Sequence, residues 1–308
     1  MSRIAFFVAG RPVYWYGILI AAALLMGTLL VMAREKRFGL QKDDSLNFVL
    51  WAAPVAIVCA RLYYVAFSWD AYRDDLTKVF ALREGGLAIY GAVLGGLLTA
   101  VVFAKRKRVP LGSLCDLCAP ALVLGQAVGR WGNFFNQEAF GRAIADPRLQ
   151  FFPMGVYIEA LGEWHWATFF YESCWCALIF VLLMWGERRR WFRRAGDEFM
   201  ACAVLYAAER CVVEGLRTDS LMLMNVRVSQ LLSLGAMLLF AVILLARAPK
   251  RGLKWFIPLL LSLGALLFAV RAGRFFPQLA ASAVSLALFA PLYRATVFPK
   301  NMTQEKSD

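Results

Sequence analysis

Tyr14-Trp-Tyr-Gly-Ile-Leu-Ile-Ala-Ala-Ala-Leu-Leu-Met-Gly-Thr-Leu-Leu-Val-Met-Ala33 holds twenty residues without a charge, and Arg34-Glu-Lys-Arg37 follows it directly. As an α-helix such a run covers about 30 Å, the thickness of a hydrocarbon core. Further apolar runs lie at 48–67, 87–104, 113–134, 168–186, 198–216, 228–246, 255–270 and 277–293. The whole chain of 308 residues is 61% hydrophobic, against about 45–50% in soluble domains. An ordinary cytosolic globule, a disordered chain and a disulfide-stapled secreted domain are excluded. The expected fold is all-α, a polytopic helical membrane protein. The fourth run carries Gly125, Gly129 and Gly132, which predict a break rather than one clean helix. The last two runs are short and interrupted by Arg271, Gly273, Arg274 and Pro277, so they read as a hairpin or as true spans.

The basic residues are not spread evenly between these runs. Seventeen of them fall in four loops, at Arg34–Lys42, Lys105–Arg108, Arg188–Arg194 and Arg247–Lys254, and the N-terminus with the loops after the second, fourth and sixth runs holds nine. Loops rich in Lys and Arg stay in the cytoplasm, which puts the N-terminus outside and the C-terminus inside. The net charge of +13 could suggest nucleic acid. No basic face, zinc-finger spacing or RNA-binding aromatic motif accompanies it, so no nucleic-acid partner is expected. Seven Cys lie in or beside apolar runs. Cys115-Asp-Leu-Cys118 has metal-ligand or redox spacing but no second pair and no nearby His. These read as small membrane cysteines.

Charges inside spans carry more information. Arg61, Arg130 and Arg210 are the deep cations, with Asp116, Glu138, Glu172, Glu209 and Glu214 as acidic company. A charge near the bilayer centre costs several kcal/mol and usually faces a polar cavity; the alternative is a structural ion pair. Around Arg130 the chain reads Gly129-Arg-Trp-Gly-Asn-Phe-Phe-Asn-Gln-Glu-Ala-Phe-Gly141, a dense polar patch at the outer end of a span. Arg210, Glu214 and Arg217 stand at i, i+4 and i+7, which would put them on one helix face. Arg83-Glu84 before Tyr90, and Trp15-Tyr16, add polar groups at a similar outer depth. An excess of Arg there suits a phosphate head group, because guanidinium binds phosphate through two parallel hydrogen bonds. The only histidine, His165, falls in an outer loop and reads chiefly as structural.

The run 129–141 resembles the signature of prolipoprotein diacylglyceryl transferases, G-R-x-G-N-F-x-N-x-E-x-x-G, with all eight fixed positions filled. Similar blocks follow in order: Trp15-Tyr16-Gly17, Ala60-Arg61-Leu62, Glu84-Gly-Gly-Leu-Ala-Ile before Tyr90, Thr168-Phe-Phe-Tyr-Glu172, Arg210 with Glu214, Arg217 and Asp219, and Ser229-Gln230. The resemblance covers roughly residues 10–250. It implies a seven-helix membrane core opening to the outer leaflet of a bacterial cell membrane. Its implied reaction moves diacylglyceryl from phosphatidylglycerol to the lipobox cysteine of a prolipoprotein signal peptide, releasing glycerol phosphate, with no metal or soluble cofactor. Carried onto this chain, Arg130, Arg210, Tyr90 and Glu214 become catalytic candidates. Arg130, Asn133, Asn136, Glu138, Gly141, Tyr16 and Arg217 become phosphatidylglycerol-binding candidates. Many family members have His where Tyr90 stands. A core at 1–252 and a hydrophobic extension at 253–308, with two extra helices, complete the expected layout.

A transporter or flippase for an anionic lipid or solute is the rival reading; it would predict inverted repeats and polar groups on both sides of the midplane. A structural subunit would leave the polar block 129–141 without a role. The orientation has a direct test in single-Cys labelling of otherwise Cys-free protein. Positions beside Asp74 and Asp146 are expected to react in intact cells, and those beside Lys107 and Arg190 only after permeabilisation. The reverse pattern would overturn the charge count.

Overall fold

A computed structural model describes residues 3–81, 85–218, 221–223 and 226–297. Arg83, Glu84 and Asp219, named above, lie outside the described residues. Every apolar run of the sequence is a helix: α1 (Trp15–Arg34), α2 (Asp44–Phe67), α3 (Ile89–Lys107), α4 (Leu111–Asn136), α5 (Thr168–Arg188), α6 (Asp197–Val213), α7 (Val228–Arg247), α8 (Pro249–Arg271) and α9 (Phe275–Val297). In lipid the backbone must satisfy its own hydrogen bonds, and a helix does so within one segment. Eight of these helices are long and apolar enough to span; α6, with 17 residues, is the shortest. Among the described residues the strands form three two-stranded antiparallel sheets, β1 (Ile4–Val8) with β2 (Arg11–Tyr14), β3 (Gly155–Ile158) with β4 (Glu163–Trp166), and β5 (Met222–Leu223) with β6 (Val226–Arg227).

The chain forms two compact units. The first comprises the described residues of Met1–Leu24, Leu122–Arg193 and Met200–Asp308. Here the break expected in the fourth run does not occur, and α4 continues unbroken to Asn136. Its glycines are contact points instead. A Cβ at Gly132 would run into the Tyr16 ring, one at Gly129 would meet Ile20 at 3.6 Å, and one at Gly125 would meet Ala23 at 4.0 Å. Small residues at such spacing let two helices approach where lipid offers no hydrophobic drive. Elsewhere in this unit, α6 and α7 share a core with α8 and α9, in which Met237, Leu259 and Leu292 have no exposed surface.

The second unit comprises Leu25–Ala121 and Arg194–Phe199. Phe103, Leu114 and Leu117 anchor its apolar core. Arg61, one of the three deep cations, proves structural. Its guanidinium donates to the carbonyls of Lys78 (2.6 Å), Val79 (2.9 Å), Gly85 (2.6 Å) and Gly86 (3.0 Å), so it holds the loop that precedes α3. Asp116 is structural too: its carboxylate accepts from the amides of Gly196 (2.6 Å) and Phe199 (2.8 Å), satisfying the start of α6. Arg34 donates to both oxygens of Glu198, at 2.9 and 3.0 Å, and to the Leu117 carbonyl at 2.8 Å.

Arg34 and Glu198 are only 4% and 2% exposed, so removing the carboxylate takes two hydrogen bonds and a counter-charge from a buried guanidinium. Glu198→Ala is expected to cost about 3–5 kcal/mol, read as a lowered unfolding midpoint of the purified protein in detergent. An unchanged midpoint would show that the pair contributes nothing to stability.

Candidate active site

Three arginines of the first unit converge on one carboxylate. Glu172 lies a turn into α5 and has no exposed surface. Its Oε1 accepts from Arg210 Nη1 at 2.9 Å and from Arg217 Nη1 at 3.3 Å, and its Oε2 pairs with Arg130 Nη2. A second carboxylate, Glu214, pairs through Oε2 with Arg210 Nη2 and stands 4.0 Å from Arg217 Nε. Three guanidinium groups this close would repel strongly in a low-dielectric setting. Two carboxylates hold them together without cancelling their charge. Arg130 engages Glu172 through one terminal nitrogen and is 20% exposed, so the rest of its donor fork can meet a ligand. Arg210 and Arg217 are 14% and 13% exposed.

The local chain path explains how residues so far apart in sequence meet. The single helix face expected for Arg210, Glu214 and Arg217 is not what forms. The α-helix α6 stops at Val213, a 3-10 turn spans Glu214–Leu216, and Arg217 is extended at φ −73°, ψ 154°. The exit is fixed by its neighbours: Arg142 donates its amide to the Leu216 carbonyl at 2.9 Å, and Gly141 bridges Arg217 antiparallel. Arg227 Nη2 donates to the Arg217 carbonyl at 3.1 Å. Burial, and then the charge of nearby Arg142, push the Arg227 guanidinium below its ordinary pKa.

Gly141 is enclosed by protein. A Cβ there would lie 2.8 Å from Trp166 Cβ and 3.1 Å from the Leu216 carbonyl. Close packing alone leaves no room for a side chain at this place in the 129–141 pattern. His165 is tied to it, with Nδ1 donating to the Gly141 carbonyl at 2.8 Å, and is buried. That role is structural, as the sequence suggested. Thr168 Oγ1 donates to the Ala139 carbonyl at 2.6 Å and closes the same knot.

A cavity of about 580 Å³ adjoins the C-terminal end of α4, within the usual range for small-ligand pockets. Tyr14, Tyr16, Asn136, Gln137 and Glu138 line it, with Arg3. Asn136 Nδ2 donates to Glu138 Oε1 at 3.2 Å. Gln137 and Ala139 adopt left-handed φ of 52° and 55°, uncommon for residues with a side chain and often a mark of functional turns. Gln137 Oε1 accepts the Glu159 amide at 3.0 Å, which helps hold this turn. Asn133 is half-buried, and its carbonyl accepts the Glu138 amide at 3.0 Å. Six residues of helix separate Arg130 from Asn136, about 9 Å along the axis. The arginine cluster and the cavity thus lie along one helix.

Tyr16, Asn136 and Glu138 therefore gather at the cavity, and Arg130, Arg210, Glu214 and Arg217 at Glu172. Tyr90 belongs to the second unit, in the first turn of α3, with its ring 39% exposed and 6.3 Å from that of Tyr63. Sequence reasoning gave Glu172 no settled role, although an acid one turn into an apolar run was the available signal. It also passed over Glu209, whose two carboxyl oxygens are buried without a hydrogen-bond partner. Among the described residues no cluster of His, Cys, Asp and Glu has the makeup of a metal site, and all seven cysteines are free.

The family profile of prolipoprotein diacylglyceryl transferase matches residues 3–246. The chain is similar to a Limosilactobacillus reuteri protein named phosphatidylglycerol–prolipoprotein diacylglyceryl transferase, 39% identical over 260 residues, 83% of this chain and 94% of the relative. Relatives of the same name from Enterococcus faecalis (40% identical, 83% of this chain and 94% of the relative) and Bacillus cytotoxicus (39%, 80% and 92%) match similarly.

If Glu172 is what holds the three arginines in register, Glu172→Ala should lower the transfer rate by about a hundredfold or more, the usual loss when a preorganised ion site is dismantled. Glu172→Gln, which keeps shape but not charge, should fall between that variant and wild type. Near wild-type single-turnover rates for Glu172→Ala would remove Glu172 from the site.

Proposed function

The chain belongs to the prolipoprotein diacylglyceryl transferase family, and with that as premise we propose that it moves diacylglyceryl from phosphatidylglycerol to the lipobox cysteine of prolipoproteins at the outer face of a bacterial membrane. The observation that carries this reading is the bridging of Arg130, Arg210 and Arg217 by the buried Glu172. A phosphate leaving group needs preorganised cations, and such a cluster supplies them in a dry setting. The thiolate sulfur attacks the glyceryl carbon next to the phosphate. A carbon–sulfur bond forms as the carbon–oxygen bond breaks, and glycerol phosphate leaves with the electron pair.

Within this scheme Arg130, with Asn133 and Asn136, holds the phosphate and glycerol of the lipid. Arg210 faces the reacting centre, Glu214 orients it, and Arg217 stands nearer the water. Tyr16 and Glu138 hydrogen-bond the head group in the cavity. A free thiol titrates near pH 8.5, and the positive site lowers that value by favouring the thiolate. Tyr90 offers a hydrogen bond rather than a base, because an unperturbed phenol titrates near pH 10. The charge distribution supports an outside N-terminus and a cytoplasmic C-terminus, which puts the site on the side where lipoprotein precursors emerge. The family assignment does not favour the transporter reading.

The test is to incubate the purified protein with phosphatidylglycerol vesicles and a lipobox peptide, and to follow the diacylglyceryl mass gain. A Cys→Ser peptide is the control. Arg130→Ala and Arg210→Ala should each lose about a hundredfold or more, and Lys at either position should rescue poorly because a point charge cannot make two parallel bonds. Tyr90→Phe should lose only about tenfold, the worth of one hydrogen bond to an ionic partner. A loss for Tyr90→Phe as deep as that of Arg130→Ala, with lipid binding intact, would make the phenol an essential proton carrier and displace the arginine-centred mechanism.

A further inference from the structure

The family profile stops at residue 246, yet α8 and α9 continue for two full helices beyond it. Neither is an idle apolar tail. The buried positions of α9 are Gln278, Ser282, Ser285, Phe289, Leu292 and Thr296, alternately four and three residues apart, as in a helix packed along its whole length. In lipid an apolar stripe gains nothing by leaving the acyl chains, so association rests on close packing and hydrogen bonds between helices. Here the polar members of the stripe supply those bonds. Ser285 Oγ lies 3.0 Å from Ser262 Oγ of α8, which closes the hairpin on itself.

One bond of α9 reaches the arginine-bearing helix. Ser282 Oγ donates to the Ala208 carbonyl at 3.0 Å, two residues before Arg210. Gln278 is 1% exposed, and its Nε2 donates to the Ala269 carbonyl at 3.3 Å. Its Oε1 has no hydrogen-bond partner and faces the 3-10 turn, where a Cβ on Gly215 would lie 2.6 Å from it. Gly215 sits between Glu214 and the segment leading to Arg217. At the far end of α9, Tyr293 donates its hydroxyl to the Trp191 carbonyl at 2.9 Å. From the other side Gln230 of α7 donates to the Cys211 carbonyl at 2.6 Å. The carbonyls of residues 208 and 211, flanking Arg210, are thus both held by side chains of other helices.

We infer that the α8–α9 hairpin is a brace on the arginine-bearing end of α6, with Ser282 and Gln278 as positioning residues that fix Arg210 and the Glu214–Arg217 turn against Glu172. This rests on the transferase reading above. It assigns the hairpin a part in turnover rather than in membrane anchoring alone. Both residues act through the backbone of α6 and the turn, and neither touches substrate. The expected signature is a lowered kcat at unchanged KM for the peptide, with KM for lipid changing less than kcat, since the lipid cavity at Tyr16 and Asn136 lies on other elements.

The experiment uses the full-length protein in phosphatidylglycerol vesicles with a lipobox peptide. Ser282→Ala is expected to lower kcat about three- to tenfold, the equivalent of one lost hydrogen bond, with KM for the peptide unchanged and the unfolding midpoint lowered only slightly. Ser282→Thr, which keeps the hydroxyl, should restore it. Gly215→Ala should lower kcat by about tenfold, because its methyl competes with a buried amide that can yield only by giving up its bond to Ala269, and small misplacements of catalytic groups are costly. Gly215→Ala combined with Gln278→Ala should be faster than Gly215→Ala alone. A wild-type kcat for Ser282→Ala, or a double variant no faster than Gly215→Ala, would overturn the brace. Should Gly215→Ala fail to fold, the Ser282 pair decides alone: Thr no better than Ala also overturns it. An inactive wild type would instead sink the transferase reading, so the two failures are distinguishable.

Discussion

One buried carboxylate organises the charged centre of the first unit. Glu172 has no exposed surface and is bonded or paired to arginines from α4, from α6 and from the extended segment after α6. Without it, three cations would have to share a space from which water is largely excluded, and each would be driven away from the others. With it, the cations are held close, and Arg130, which engages it through one terminal nitrogen, is 20% exposed. It also explains the 3-10 turn at Glu214–Leu216: a continued α-helix would have to carry Arg217 along its own axis, whereas the turn releases it to Glu172, and Gly141 and Arg142 secure it there.

Much of this was legible in the sequence because bilayers leave few choices. Runs of apolar residues between basic loops can only be helices, and the expected boundaries match the observed ones within a few residues at most ends. Of the charges deep in those runs, Arg130 and Arg210 come together on Glu172. What the sequence could not separate were residues whose role depends on what approaches them. Gly125, Gly129 and Gly132 look like a helix break and are a seam for α1, because their conformation is ordinary helix and only the neighbouring helix reveals their use. Gly141 looked like part of a lipid site and is a packing point. Arg61 and Asp116 carried the same signal as Arg130, a charge in an apolar run, yet their partners are backbone groups. Glu172 carried no more signal than Glu138; only tertiary structure distinguishes a hub from a rim residue.

The C-terminal hairpin shows the same limit from the other direction. Its runs looked short and interrupted, but each extends to 23 residues, since Pro249 can open a helix at no loss of hydrogen bonding and Gly273, with φ of 65°, closes the turn between them. Composition alone cannot tell a lipid-facing helix from a packed one. The spacing of Ser and Gln along α9 can, once the carbonyls they reach are known. The polar groups within the helices thus fall into two sets: arginines and glutamates paired with one another, and serines and glutamines bonded chiefly to backbone carbonyls.

The central claim is that the Glu172-bridged arginines receive the phosphate of the lipid. It is met most directly by an experimental structure of the protein in nanodiscs with a non-hydrolysable phosphatidylglycerol analogue bound. The account predicts the phosphate within hydrogen-bond distance of Arg130 and Arg210, with Glu172 still bridging them and the glycerol near Tyr16 and Asn136. A phosphate bound elsewhere, with the arginines engaged only by Glu172 and Glu214, would contradict it.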